Sequence, residues 1–463
     1  MAAGDGGGRA RPGGTAGAVP GRLAARGAVL AGLVLVGVLV AAGDGGGLLV
    51  LLVVVLGLVL CAAGVWWGLA HRGPVRALGV AVAVAAPVAV VTLLIVDGMW
   101  PVALLLAACW AAMVGAAREA LRRSRPSRPP RTRPAPRVRR PVLIMNPKSG
   151  GGKVERFDLA ARAEALGARV VLLDPSEEVD VTALARTAVA EGADLLGVAG
   201  GDGTQALVAA VAAEHGLPFL VVSAGTRNHF AMDLGLDRAD PSRCLDALTD
   251  GEELRVDLGF VSGRPFVNTV SFGVYADVVQ RPEYRDAKAE TALNLLPDLL
   301  TGADGRRVEA RIDGEAAPPR QALLVSNNPY AAPDVLTGAG RRPRLDTGAL
   351  GVLGIHVETA AQAADLAVRG TQSPGLLATA GRRVEVLSDG GDAAEIPVAV
   401  DGEALRLPTP VVCELRPRAL RVLVPRSRPG AVPPAPTLEW RAVLALALTR
   451  NPRRTETPPT GPS

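Results

Sequence analysis

At 463 residues and 47.4 kDa the chain is long enough for two or three domains, each with its own core, which excludes a small disulfide-stapled fold. Apolar residues make up 49% but aromatic ones only 3%, so Ala, Val and Leu supply the burial, a bias towards membrane helices. Lys and Arg total 50 against 45 acidic residues, and with that even balance no nucleic-acid partner is expected. The scattered cysteines Cys61, Cys109, Cys244 and Cys413 form no CxxC or Cys/His spacing, so neither disulfides nor zinc are expected.

Apolar runs at 28–43, 48–70, 77–96 and 102–117 approach the roughly 17 to 25 residues that a membrane-spanning helix needs. The first and last reach that length when 23–27 and 99–101 join them. The sequence therefore predicts four spans within 1–120, and three further apolar runs with no cleavage site argue against a signal peptide. Arg9, Arg11, Arg22 and Arg26 precede the first run, Arg72 and Arg76 separate the second from the third, and ten arginines lie between Arg118 and Arg140. The loops around Asp44 and Asp97 hold none, so the positive-inside rule puts both termini and everything after the fourth span on the cytoplasmic side of the cell membrane. Trp66, Trp67, Trp100 and Trp110 fall near run ends, where indoles favour the interface. The Arg/Pro/Ser stretch 121–140 reads as a disordered polybasic linker, either drawn to anionic headgroups or simply a solvated flank.

From 141 onward short apolar strands (142–145, 169–173, 194–199, 219–222) alternate with Ala-rich helices (154–166, 181–191, 205–215), the rhythm of a parallel sheet covered by helices. After about 255 the strands crowd together, at 258–261, 266–270, 308–312, 321–325, 350–357 and 383–386, which predicts a second, mainly β domain. The expected division is an α/β domain over 141–255, a β-rich domain over 256–428 whose chain returns to the first, and a Pro-rich tail over 429–463 with an amphipathic stretch at 438–448. An inserted helix is expected at 284–300.

The strand at 195–199 runs directly into Gly200-Gly201-Asp202-Gly203-Thr204 and then a helix. Glycines there let backbone N–H groups approach an anion at a helix N-terminus, while Asp202 suits a magnesium ion or water that touches the phosphates. A second loop, Asn146-Pro147-Lys148-Ser149-Gly150-Gly151-Gly152-Lys153, also joins strand to helix. Lys148, Lys153 and Lys288 are the only lysines in a chain that otherwise uses arginine, so a compact ammonium is expected to face phosphate in this loop. The loop is not a Walker A run. A third stretch, Ser223-Ala224-Gly225-Thr226-Arg227-Asn228-His229-Phe230, leaves the strand at 219–222, and all three would line a nucleotide crevice at carboxyl ends of strands. Much later Asp401-Gly402-Glu403 follows strand-like 398–400, where an aspartate is either a turn residue or a base for a hydroxyl proton.

In that order NPKSGGGK, GGDGT, GTRNHFA and DGE resemble the catalytic domain of the diacylglycerol kinase and sphingosine kinase family, related in fold to NAD kinase, over roughly 141–424. The resemblance implies an α/β NAD kinase-like domain with a parallel sheet, followed by a mainly β sandwich, behind an α-helical membrane region. It implies ATP held by Gly200, Gly201, Gly203 and Thr204, by Asn146, Lys148, Ser149, Gly150 and Gly151, and by Gly225, Thr226 and Asn228. Asp401 would be the general base, Asp202 its catalytic partner, and Glu403 a support for nucleotide or Mg²⁺. Asn268 and Gly273 match a strand motif lining the cleft, and Arg344-Leu345-Asp346-Thr347-Gly348 resembles a loop that in some members holds a structural magnesium, making Asp346 the metal candidate. The lipid chain would enter the β domain between its sheets. Three departures stand out: His229 in the GTxND motif, Val274-Tyr275 where Gly-Phe-Asp is usual, and Thr347 for the second Asp of the metal loop. With Asp202 and Asp401 in place the expectation is a membrane-bound, ATP-dependent lipid kinase acting on diacylglycerol or a related lipid at the bilayer. The alternatives are a non-catalytic lipid- or nucleotide-binding regulator and an NAD kinase-like enzyme.

Overall fold

In the computed structural model four apolar helices open the chain: α1 (Ala18–Ala41), α2 (Gly47–Ala70), α3 (Gly73–Val96) and α4 (Trp100–Ser124). The structure describes residues 18–41, 47–71, 73–124, 132–273 except 175 and 178, 307–330, 341–357, 373–388, 395–430 and 440–448, with a few isolated positions besides. The helix expected at 284–300 and the pair Val274-Tyr275 lie outside the described residues. By length and composition three helices among the described residues can cross a membrane, at Leu51–Gly68, Gly73–Val96 and Trp100–Leu121, against the four spans predicted. The stretch expected to be a linker is partly regular: α4 carries Arg118, Arg122 and Arg123 in its last turns, and Thr132–Pro134 forms a short strand, β1.

The chain forms two compact units. One gathers 1–58, 86–128 and 435–463, and so holds α1, α4 and a tail helix, α10 (Trp440–Leu448); the other gathers 59–85 and 129–434.

In the second unit β2 (Pro141–Met145), β4 (Leu195–Ala199) and β5 (Pro218–Val222) are buried at every residue. Strands so uniformly apolar must be covered on both faces, and they pair in parallel in the order β3 (Arg169–Leu172), β2, β4, β5. Helices α5 (Lys153–Arg156), α6 (Leu159–Ala165), α7 (Val181–Ala190) and α8 (Asp202–Glu214) make the crossovers, and α9 (His229–Asp233) follows β5. The single helix expected at 154–166 breaks into α5 and α6 at Asp158, which adopts φ 52°, a left-handed conformation that short polar side chains tolerate. The helix expected from 205 begins three residues earlier, with Asp202 in its first turn.

The β-rich part holds β6 (Gly251–Val261), β7 (Arg264–Phe266), β8 (Thr269–Gly273), β9 (Val308–Ile312), β10 (Glu315–Arg320), β11 (Ala322–Ser326), β12 (Leu350–Ile355), β13 (Leu376–Gly381), β14 (Arg383–Ser388), β15 (Glu395–Val400), β16 (Glu403–Pro408) and β17 (Val411–Pro425). One sheet runs β13-β12-β11-β8-β15-β16; the other continues the parallel strands through β17 to β14, β9 and β10. The long β17 pairs with β14 near its start and in parallel with β5 near its end, while β6 runs antiparallel along its other flank. The boundary drawn at 255/256 therefore falls inside an unbroken strand, β6. Between the two sheets Val270, Phe272, Val325, Val352, Val384, Val400 and Cys413 pack as one core.

Candidate active site

The three glycine loops leave the carboxyl ends of β2, β4 and β5, and with the β15–β16 hairpin they line one cleft of about 550 Å³. Gly150 has φ 57°, and a Cβ there would lie 2.3 Å from the Ala224 carbonyl oxygen, so only glycine lets the first loop rest on the third. Asn228, with φ 50°, accepts the Gly225 N–H at 2.9 Å and donates to the carbonyls of Ser223 (2.8 Å) and Gly225 (2.6 Å). Both of its amide protons are used inside the loop, so this side chain shapes the cleft rather than reaching into it. Lys148 is exposed, whereas Lys153 donates its Nζ to the Arg238 carbonyl at 2.9 Å. Burial, then repulsion from Arg156 and Arg238, lowers the Lys153 pKa. Lys153 also reaches the Ser223 carbonyl at 3.5 Å, so its ammonium is spent on the backbone at 223 and 238 and Lys148 is left as the lysine lining the cleft.

Asp202 sits in the first turn of α8, where backbone N–H groups have no acceptor within the helix. Its carboxylate is buried and accepts the N–H groups of His229 (3.1 Å) and Phe230 (3.3 Å), holding the start of α9 against α8. Burial raises its pKa, against the pull of those two N–H groups. Asp401 and Gly402 form the two-residue turn between β15 and β16, with φ 47° and 90° and Val400 opposite Glu403, the positive-φ geometry such a hairpin demands. The Asp401 carboxylate accepts the N–H groups of Val267, Asn268 and Thr269, each at 2.9 Å. Burial, reinforced by the charge of Asp202, pushes Asp401 up to about 7 in spite of those three donors.

Of the residues expected at the site, Asn146, Lys148, Ser149, Gly150, Gly201, Asp202, Gly225, Thr226, Asn228 and Asp401 line the cleft together. Gly151, Gly200, Gly203, Thr204 and Glu403 are not among its lining residues. The Gly200 carbonyl accepts Gln205 Nε2 at 2.9 Å, and Glu403 lies over Gly203 while pairing with Arg264 at 2.6 Å. Asp346 stands elsewhere and is paired with Arg344 at 2.9 Å. Its neighbours are also engaged: Asp257 accepts the N–H groups of Gly348 (2.7 Å) and Arg418 (2.8 Å), and Thr347 donates its hydroxyl to Asn328 at 2.6 Å. That loop does not fit a metal ion, because Arg344 supplies the positive charge, and no cluster of three metal-ligating side chains occurs among the described residues.

Sequence reasoning missed Arg342, hidden in the run Arg341-Arg342-Pro343-Arg344 that reads as a solvated charge patch. Its guanidinium pairs with Asp233 at 2.6 Å, both side chains buried, and its Nη1 donates to the carbonyls of Val267 (2.7 Å), Asn268 (3.2 Å) and Asn327 (2.8 Å). The peptides whose carbonyls it takes, 267–268 and 268–269, are those whose N–H groups hold Asp401. Tyr330, also missed, lines the cleft and donates its hydroxyl to Asn268 at 3.2 Å.

The far wall of the cleft is the outer face of the six-stranded sheet. Ala404, Ala399, Ser271 and Leu324 stand directly opposite one another across β16, β15, β8 and β11, and all four line the cleft. Residues paired in register share a face, so this row points away from the core. A lipid chain was expected between the sheets; there the described side chains pack as a buried core, whereas the row on the outer face lines the cleft.

Residues 140–261 match the family model described as the diacylglycerol kinase catalytic domain. Diacylglycerol kinases of Mycobacterium tuberculosis and Bacillus subtilis align with 26% and 36% of this chain, at 33% and 31% identity. These alignments span 39% and 55% of those kinases' own lengths. The crystal structure of a candidate diacylglycerol kinase from Bacillus anthracis superposes with a TM-score of 0.50 at 18% identity, covering 64% of this chain and 98% of that one, a likeness of fold. The chain carries a diacylglycerol kinase-like catalytic domain behind N-terminal apolar helices.

Proposed function

We propose that the protein is a membrane-bound, ATP-dependent lipid kinase that transfers the γ-phosphoryl group to a hydroxyl of diacylglycerol or a related lipid, with its catalytic domain on the cytoplasmic side. The observation that carries this reading is the convergence of Asp401 and Asp202 with three glycine loops on one cleft. The N–H groups opening α8 and the consecutive left-handed glycines at 150–152 suit the phosphates of a nucleotide. An acid that titrates near neutrality is matched to taking a hydroxyl proton and releasing it afterwards, the role assigned to Asp401. The row Ala404, Ala399, Ser271 and Leu324 leaves room for the acceptor beside Asp401. When bound with the nucleotide, a magnesium ion would neutralise phosphate charge, and Asp202 would meet it, since each of its oxygens holds only one N–H.

The test is transfer of labelled γ-phosphate from ATP into a mixed-lipid extract by the full chain in detergent with Mg²⁺. Labelled lipid from wild type, and none from Asp401→Asn or Asp202→Asn of unchanged circular dichroism, is the expected result; full activity in either variant refutes the assignment. A nucleotide- or lipid-binding regulator is the second reading, favoured by the Arg344–Asp346 pair in the loop that resembles a metal site. ATP binding by wild type without any labelled product selects it.

A further inference from the structure

The tail helix α10 is outside the catalytic reading, yet it is packed into the unit that holds α1 and α4. Val443 is buried among Ala25 and Ala28 of α1 and Ala117 and Ala120 of α4, small side chains that admit a third helix closely. Arg26 donates its Nε to the Ala447 carbonyl at 3.3 Å, satisfying an acceptor in the last turn of α10 where a cation also suits the helix dipole.

Docking leaves another apolar stripe uncovered. Trp440, Leu444 and Leu448 recur every four residues and are 41%, 48% and 80% exposed, so they form a single row along one side of the helix. What this row meets follows from where α10 lies. It sits at the N-terminal end of α1 and the C-terminal end of α4, and Gly32 facing Met113 shows that the two run antiparallel, so these ends share one level. That level carries Arg22 and Arg26 on α1 and Arg118, Arg122 and Arg123 on α4, the signature of the inner headgroup region. Next to it begin the exposed apolar faces of the same helices, with Leu23 and Leu30 on α1 and Trp110 on α4, which is long and apolar enough to cross a membrane. Past α10 the chain continues with Arg450, Arg453 and Arg454.

We propose that α10 is an interfacial membrane helix: its Trp440–Leu444–Leu448 row inserts into the boundary between headgroups and acyl chains of an anionic phospholipid bilayer, continuing the lipid-facing surface of α1 and α4. An apolar face flanked by arginines is the composition that partitions to this depth, and an indole at one end suits it. The segment 129–434 is then held to the bilayer at both of its chain ends, through α4 before it and α10 after it. This inference does not depend on the reaction the cleft performs.

The experiment uses the full chain in vesicles of phosphatidylglycerol and phosphatidylcholine, with and without bromine on the acyl carbons nearest the headgroup. Subtracting the emission of Trp440→Phe from that of wild type isolates Trp440 among the five tryptophans. The expected difference spectrum is shifted to the blue of an indole in water and loses most of its intensity with brominated lipid. A water-like spectrum that bromine leaves unchanged overturns the proposal, and so does a blue-shifted spectrum that bromine leaves unchanged, which would mean that protein, such as a second copy of the chain, covers the row. A second readout is trypsin cleavage of the 441–442 bond on the same vesicles, followed by mass spectrometry of the fragment that ends at Arg441 because Arg450, Arg453 and Arg454 are cut in any case: protection in wild type and cleavage in Leu444→Asp/Leu448→Asp are expected, whereas equal cleavage of both overturns it.

Discussion

Replacing Asp401 with asparagine removes a charge that the fold holds at a disadvantage, and the consequence reverses with pH. The carboxyl moves from 3.8 to about 7 on folding, chiefly through burial, and at about 1.4 kcal/mol for each pH unit its ionised form destabilises the native state by about 4 kcal/mol. Below the unfolded value of 3.8 the group is protonated in both states and nothing is lost. As pH rises from there to about 7 the unfolded chain gives up its proton first, so stability falls, and above about 7 the full penalty is present. Asparagine never ionises and escapes that penalty, but its amide turns one N–H towards a backbone donor. With the carbonyl oxygen on Asn268 and Thr269, the Val267 N–H is left without an acceptor, a loss of roughly 1–3 kcal/mol. The variant is therefore expected to be more stable than wild type by about 1–3 kcal/mol near pH 8, and within about 1.5 kcal/mol of it, on either side, near pH 5. Pulse proteolysis of the full chain across a urea series in detergent, following the 129–434 fragment, measures the difference at each pH. A difference that stays flat between those two pH values refutes the account of Asp401 as a buried acid destabilised by its own charge.

Gly150→Ala sets a Cβ 2.3 Å from the Ala224 carbonyl and 2.9 Å from that of Gly225. Since backbone on both sides must move, nucleotide affinity is expected to fall about tenfold or more, checked by equilibrium binding of a fluorescent ATP analogue. Arg342→Met strands Asp233 as a buried charge and is expected to lower unfolding stability by about 3–5 kcal/mol. The double replacement Arg342→Met/Asp233→Leu should recover much of that in the same urea series, and no recovery would mean that the carbonyl bonds of Arg342, not its ion pair, dominate.

How much of this site was legible depends on how locally each part is encoded. The glycine loops are complete within a few residues of sequence, because strand, anion-binding turn and helix are consecutive, and so they were readable. Asp401 was readable as a hairpin tip for the same reason, although its three N–H donors come from residues more than 130 positions earlier. The break at Asp158 was not, since nothing in the Ala-rich run signals a left-handed residue there. The length of β17 was hidden too: Pro417 and the left-handed Arg418 interrupt its pattern, and the register against β6 shifts between Arg416 and Leu420. Asp346 matched a metal loop by motif, and its pairing with Arg344, only two residues away, was not readable because a charged pair in sequence does not say whether it will meet in space.

Arg342 shows why the two halves of the catalytic unit cannot be treated as separable modules. Its guanidinium joins Asp233, at the end of α9 in the α/β part, to the backbone at 267–268 and 327 in the β part. It draws on the carbonyls of the peptides whose N–H groups hold Asp401, so the placement of that acid depends on an ion pair anchored in the opposite half. β17 makes the same connection in the sheet, pairing with β14 at 411–414 and in parallel with β5 at 421–423, with β6 antiparallel beside it. A cut at 255/256 would sever β6 and leave Arg342 and Asp233 buried apart, each without its partner. The phosphate-binding loops and the acid that faces them are therefore one cooperative structure, and the cleft exists only where both halves of the chain are folded together.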